Sequence, residues 1–127
     1  MARYLLIQNY EGGNCDIPMG EWDPADIRGH IDFQIALDAD LSAKGELVDS
    51  QGVSGPERAK RVVADGVAAP EVATGPFDGR SLAGYRVVDV SGEDRALEIA
   101  AASSAAPGPA GRAMQLPIEV REIMSAP

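Results

Sequence analysis

An α+β fold of the split β-α-β type, in one domain over residues 1–127, is what the sequence predicts. Three observations predict it. Two segments carry helix start and stop signals, near 24–44 and 94–103, and short β-rich runs flank and separate them. The length of 127 residues matches one domain, which at this size buries roughly two-thirds of its unfolded surface. Apolar residues make up 45% and charged residues 24%, proportions of a folded chain and not of a disordered one.

Residues 3–9 read as a strand, apolar in the middle and ending in the turn-rich Glu11-Gly12-Gly13-Asn14. A loop over 11–22 follows, with Pro18 and Gly20 as breakers. Asp23 is placed to cap the next helix, Pro24 suits its first position and Asp26 complements its dipole. Gly45 ends that helix. Residues 46–50 form a second strand and 59–64 a third, closed by the Asp65-Gly66 turn. Residues 67–76 hold a short return strand, and 83–90 a strongly β-forming one. Ser91-Gly92-Glu93-Asp94 resembles a capping box for a helix to about 103. A Pro/Gly linker over 105–112 leads to a last strand at 117–124. The order β-α-β-β-(β)-β-α-β is that of a ferredoxin-like arrangement.

Asp plus Glu number 20 against 11 Lys plus Arg, a net charge of −9. Nucleic acid is excluded as a partner because phosphate contacts need clustered cations, and an acidic membrane surface is excluded for the same reason. One cysteine, Cys15, forbids an internal disulfide and a cysteine zinc site; one histidine, His30, forbids a two-histidine metal site. The opening MARYLLIQNY is too short for a signal-peptide core or a membrane span, which places the chain in the cytoplasm. A composition rich in Ala, Gly, Asp, Val and Arg with two Lys matches a GC-rich bacterial genome.

The first helix carries the most informative pattern. At ~100° per residue, Ile27, Ile31, Ile35, Leu37 and Leu41 fall within an arc of roughly 160°, the expected core face. His30, Gln34 and Asp38 fall in the same arc, at i, i+4 and i+8. Three successive turns thus present polar groups where packing asks for apolar ones. Left unpaired they cost roughly 1–3 kcal/mol each, so they pair with one another, with strand residues, or with water or a ligand. On 83–90, Tyr85, Val87 and Asp89 share one face, and Arg86, Val88 and Val90 the other. Both faces of this strand and of 3–9 are substantially apolar, which implies a second subunit on the face that helices leave bare.

Five segments then stand in a familiar order: Tyr4-Leu5-Leu6-Ile7, Gly45-Glu46-Leu47-Val48, Thr74-Gly75-Pro76-Phe77, Leu82-Ala83-Gly84-Tyr85 and Ile118-Glu119-Val120-Arg121. Together, over about residues 3 to 124, they resemble the YCII-related superfamily, and within it the bacterial subgroup named for its Asp-Gly-Pro-Phe (DGPF) motif. The sequence departs at Thr74, where the motif has Asp, and in a shorter stretch from Phe77 to Tyr85. The resemblance implies a ferredoxin-like fold assembled as a homodimeric α/β barrel. It also implies a first-helix histidine paired with an aspartate as a catalytic dyad; His30 stands where that histidine is expected. Some members are encoded with, or fused to, extracytoplasmic-function sigma factors.

The candidate catalytic residues are His30, Asp38 and Asp89, with Gln34, Tyr85 and Arg86 as ligand-binding candidates. A histidine near an aspartate acts as a general base, the carboxylate fixing its tautomer. His30 and Asp38 stand about 12 Å apart along the helix axis, so either Gln34 bridges them or Asp89 is the partner. The plainer reading is a polar stripe satisfied by sheet backbone or at a subunit interface. Arg86 and Arg121 either hold a ligand carboxylate or pair with Asp89, Glu119 or an acid of a partner subunit; the ion pair is the favoured reading. In Gly75-Pro76-Phe77 the glycine admits an unusual backbone angle and Phe77 anchors the loop in the core. GPFDGRS lacks the ending of a phosphate loop, and the acidic residues Asp16, Glu21, Asp23 and Asp26 lack the terminal Glu of a calcium loop. No metal and no cofactor is assigned. The function read from the chain is small-molecule binding by a dimer, with His-assisted acid–base chemistry in a helix–sheet cleft. The alternative is a non-catalytic interaction module in sigma-factor-linked transcription regulation.

Overall fold

Strands and helices follow one another in the order expected, and the computed structural model describes residues 1–10, 13 and 17–125. They are β1 (Ala2–Asn9), α1 (Pro24–Ala43), β2 (Leu47–Gly52), β3 (Lys60–Val63), β4 (Glu71–Thr74), β5 (Leu82–Val90), α2 (Glu93–Ser104) and β6 (Ile118–Glu122). Four strands make one antiparallel sheet in the order β2-β5-β1-β6, and β3 and β4 form a separate antiparallel hairpin. Because β5 runs antiparallel to both β1 and β2, these two are parallel, with β5 between them. That topology is compatible with the ferredoxin-like class.

Register decides which side chains meet. Leu6 lies opposite Arg86 on one side and Val120 on the other, and Leu5 opposite Val87 and Arg121. Tyr4, Leu6, Val88 and Val90 pack against Leu41 of α1 and Ala96, Ile99 and Ala100 of α2, all at 7% exposure or less. Both helices therefore cover one face of the sheet. Leu5, Ile7 and Val87 alternate onto the other face, where they are half-buried. A second cluster joins Trp22, Met114 and Leu116 at one end of α1.

The helix termini partly correct the sequence reading. Asp23 stands at the cap of α1 and Pro24 at its first position, but the Asp23 side chain makes no capping bond. The cap of α2 is Gly92, not Ser91, so no capping box forms. At the other end of α1 the expectation holds in detail. Gly45 has φ +71, Glu46 N–H donates to Leu41 O (2.9 Å) and Gly45 N–H to Ser42 O (3.0 Å), the paired bonds of a left-handed glycine stop. Glu46 then receives a bidentate contact from Arg95, at 2.8 Å on both oxygens, which ties α2 to the start of β2. These bonds hold the Glu46 carboxyl below the usual glutamate range.

Two further expectations change. On α1 the arc's far edge is exposed, Ile31 at 45% and Ile35 at 61%. The side turned to the sheet is a band roughly 100° wide, from Leu37 through His30, Leu41, Gln34 and Ile27 to Asp38. Polar and apolar side chains alternate across it, so the apolar positions alone place its edge wrongly. Phe77 does not reach the core; it is half-buried, with Arg61 3.9 Å over its ring. Gly75 is needed for a close approach and not for a positive φ, since a Cβ there would stand 2.3 Å from Pro56 O.

Candidate functional site

Among the described residues, three polar or charged side chains are buried: His30 at 5%, Arg86 at 7% and Ser103 at 2%. All three belong to one network between α1, β5 and α2. Helical spacing stacks His30, Gln34 and Asp38 at about 6 Å intervals along α1. The pleat of β5 turns Arg86 toward them, since it shares the helix-covered face with Val88 and Val90. Arg86 Nε donates to Asp38 Oδ1 (2.7 Å) and Nη1 to Ser103 Oγ (3.0 Å), while Nη2 donates to Gln34 Oε1. Ser50 Oγ, on β2, donates to the second oxygen of Asp38 (2.9 Å).

Donor and acceptor roles run through this network in one direction. A guanidinium only donates, so the Gln34 oxygen faces Arg86 and its NH2 faces His30. Gln34 Nε2 lies 3.5 Å from His30 Nε2, which makes Nε2 an acceptor. His30 Nδ1 lies 2.9 Å from Pro107 O, a carbonyl that only accepts, so Nδ1 carries the proton. The network thus places a proton on Nδ1 and leaves Nε2 with only a long contact. The edge of the Trp22–His30 pair (centroids 5.8 Å apart, planes at 84°) steadies the ring.

Pro107 lies in the Pro/Gly segment that joins α2 to β6. There Gly108 N–H donates to Arg112 O (2.7 Å) and Met114 N–H to Ala106 O (2.9 Å), closing a tight loop. Asp26 Oδ2 accepts from Ala110 N–H (3.2 Å), tying this loop to the first turn of α1. The histidine's partner is a main-chain carbonyl, which no side-chain motif announces.

The structure brings together His30, Gln34, Asp38 and Arg86, with Gln34 and Arg86 between the histidine and the aspartate. Arg86 takes an ion pair, and its partner is Asp38 on α1 and not Asp89 or Glu119. Asp89 is not brought to His30. It alternates onto the opposite face, 3.8 Å from Arg3, with its Oδ1 buried and unpartnered. Tyr85 borders the cleft, but its hydroxyl donates to Asp49 Oδ2 (2.9 Å), registered on the face away from Arg86. That bond pushes the Tyr85 hydroxyl up and, with Gln51, holds the Asp49 carboxyl low. Arg121 stays exposed, 3.7 Å from Glu119. Cys15 and Asp16 lie outside the described residues.

His30, Gln34, Asp38 and Arg86 line a cleft of about 1130 Å³. Trp22, Leu6, Met114 and Leu116 supply apolar wall and Gln8, Asn9 and Gln51 polar rim. An apolar pocket with a few convergent polar groups is the form of a small-molecule site. The described residues contain no convergent group of three or more His, Cys, Asp or Glu, and no helix among them is long and apolar enough to cross a membrane. No protein-family model and no curated protein matches this chain.

Proposed function

We propose that this chain is a small-molecule-binding protein of YCII-related, DGPF type, acting in the cytoplasm as a homodimer, with His30 as the acid–base group of its cleft. The observation that carries the reading is the His30 side chain in an open cleft, with Nδ1 anchored on Pro107 O and Nε2 only loosely contacted. A ring fixed by one nitrogen and open at the other is arranged to take a proton from a bound molecule. An interaction module without ligand calls for a filled cleft; this one is open. The half-buried Leu5, Ile7 and Val87 on the bare sheet face support the dimer, because burying such a patch between copies is favourable.

The test of the cleft is a mixed library of small aromatic and aliphatic fragments, followed through the indole N–H resonance of Trp22, the chain's one tryptophan. Hits shift that resonance in the wild type and are lost in His30→Ala. His30→Asn serves as a second variant, since its amide nitrogen keeps a donor near Pro107 O while removing Nε2. Fragments that bind all three proteins alike remove His30 from the site. For the dimer, sedimentation equilibrium gives twice the chain mass, reduced to the chain mass in Leu5→Glu; a monomeric wild type ends that part of the reading.

A further inference from the structure

The reading of the cleft as a ligand site carries a further consequence about what it accepts, and this inference rests on that reading. Apart from tyrosines, the ionisable groups lining the cleft among the described residues are His30, Asp38, Glu57 and Arg86. The one permanent cation, Arg86, is already charge-paired with Asp38 and buried. Its Nε is bonded to Asp38, its Nη1 to Ser103 and its Nη2 to Gln34, and its side chain is 8% exposed. Asp38 is equally committed, with one oxygen on Arg86 and the other on Ser50. A carboxylate or phosphate entering here meets Glu57, a satisfied Asp38 and no free positive charge, within a chain of net charge −9. Desolvating an anion without a partner is strongly unfavourable, and the field of the whole chain adds to the repulsion. A cation finds Glu57 at the exposed rim, but beside Trp22, Leu6, Met114 and Leu116 the carboxylate it meets is Asp38, already charge-paired with Arg86.

The hydrogen-bond polarity narrows the class further. His30 Nε2 is an acceptor whose protein donor, Gln34, stands at 3.5 Å, at the weak limit of a bond. A ligand hydroxyl or N–H satisfies it better than Gln34 does. We infer that the cleft selects uncharged, largely apolar molecules that present a hydroxyl or N–H donor to His30 Nε2, and rejects carboxylates and phosphates. This reverses the role open to Arg86 at the level of sequence: the guanidinium sets the polarity of Gln34, and through it the acceptor state of the histidine, instead of clasping an anion.

Three probes of one shape separate the possibilities: 2-naphthylmethanol, 2-naphthoate and 2-methylnaphthalene, titrated against wild type and His30→Asn with the Trp22 indole resonance as readout. The alcohol is expected to bind at least about tenfold more tightly than the carboxylate, a difference of ~1.4 kcal/mol. It also outcompetes the hydrocarbon in the wild type, and His30→Asn erases that margin. If naphthoate binds best, the cleft is a ligand site and the inferred class is wrong. If alcohol and hydrocarbon bind equally, Nε2 is not the recognition point and the inference fails. If none of the three moves the indole resonance, the cleft reading falls and the inference with it.

Discussion

Replacing Asp38 by Ala lowers the free energy of unfolding by about 3 kcal/mol, measured from the urea midpoint at constant slope. Arg86 is 8% exposed, so the variant leaves a buried guanidinium facing an empty position. Breaking a buried pair from one side costs about 3–5 kcal/mol; the low end applies because the Asp38 side chain retains 31% exposure and water reaches the gap. The double variant Asp38→Leu with Arg86→Met removes both charges and leaves only the neutral groups of Gln34, Ser50 and Ser103 without these partners. It recovers most of the loss, because what is costly is the unpaired charge and not the absence of the pair. Additive losses in the double variant contradict this account, as does an Asp38→Ala protein within about 1 kcal/mol of wild type.

Leu41→Ala costs about 3 kcal/mol, whereas Ile35→Ala on the same helix changes stability by less than about 0.5 kcal/mol. Leu41 is 1% exposed and packs in the cluster with Val88, Val90 and Ile99, so its truncation leaves a void the sheet cannot close. Ile35 is 61% exposed and has little to lose. The two substitutions remove similar apolar volume from the same element, and thermal or urea melts of both decide where α1 faces the sheet. Equal losses would return the helix to the wider apolar arc that periodicity suggests.

The contrast between these two residues shows where sequence reasoning reaches and where it stops. The order of elements, the turn at Gly45 and the strand over Leu82–Val90 were legible because each follows from interactions a few residues long. The stripe His30, Gln34, Asp38 was legible too, since helical spacing alone aligns it. The face of α1 was only half legible, because polar and apolar side chains alternate across the inward band and Ile31 and Ile35 lie beyond its edge. Nothing in the spacing distinguishes an isoleucine at the rim from one in the core.

What the chain determined by itself is therefore local: which segments become helix or strand, where they stop, and which side chains share a face. The partners across the fold were decided by register and packing. Arg86 meets Asp38 and not Asp89 because strand positions an odd number of residues apart point to opposite sides, and only the assembled layers say which side α1 occupies. His30 meets Pro107 O because a loop 77 residues further on folds back against the first turns of α1. A main-chain carbonyl carries no signature in the residue code, so its pairing with an imidazole exists only once the chain has closed around it.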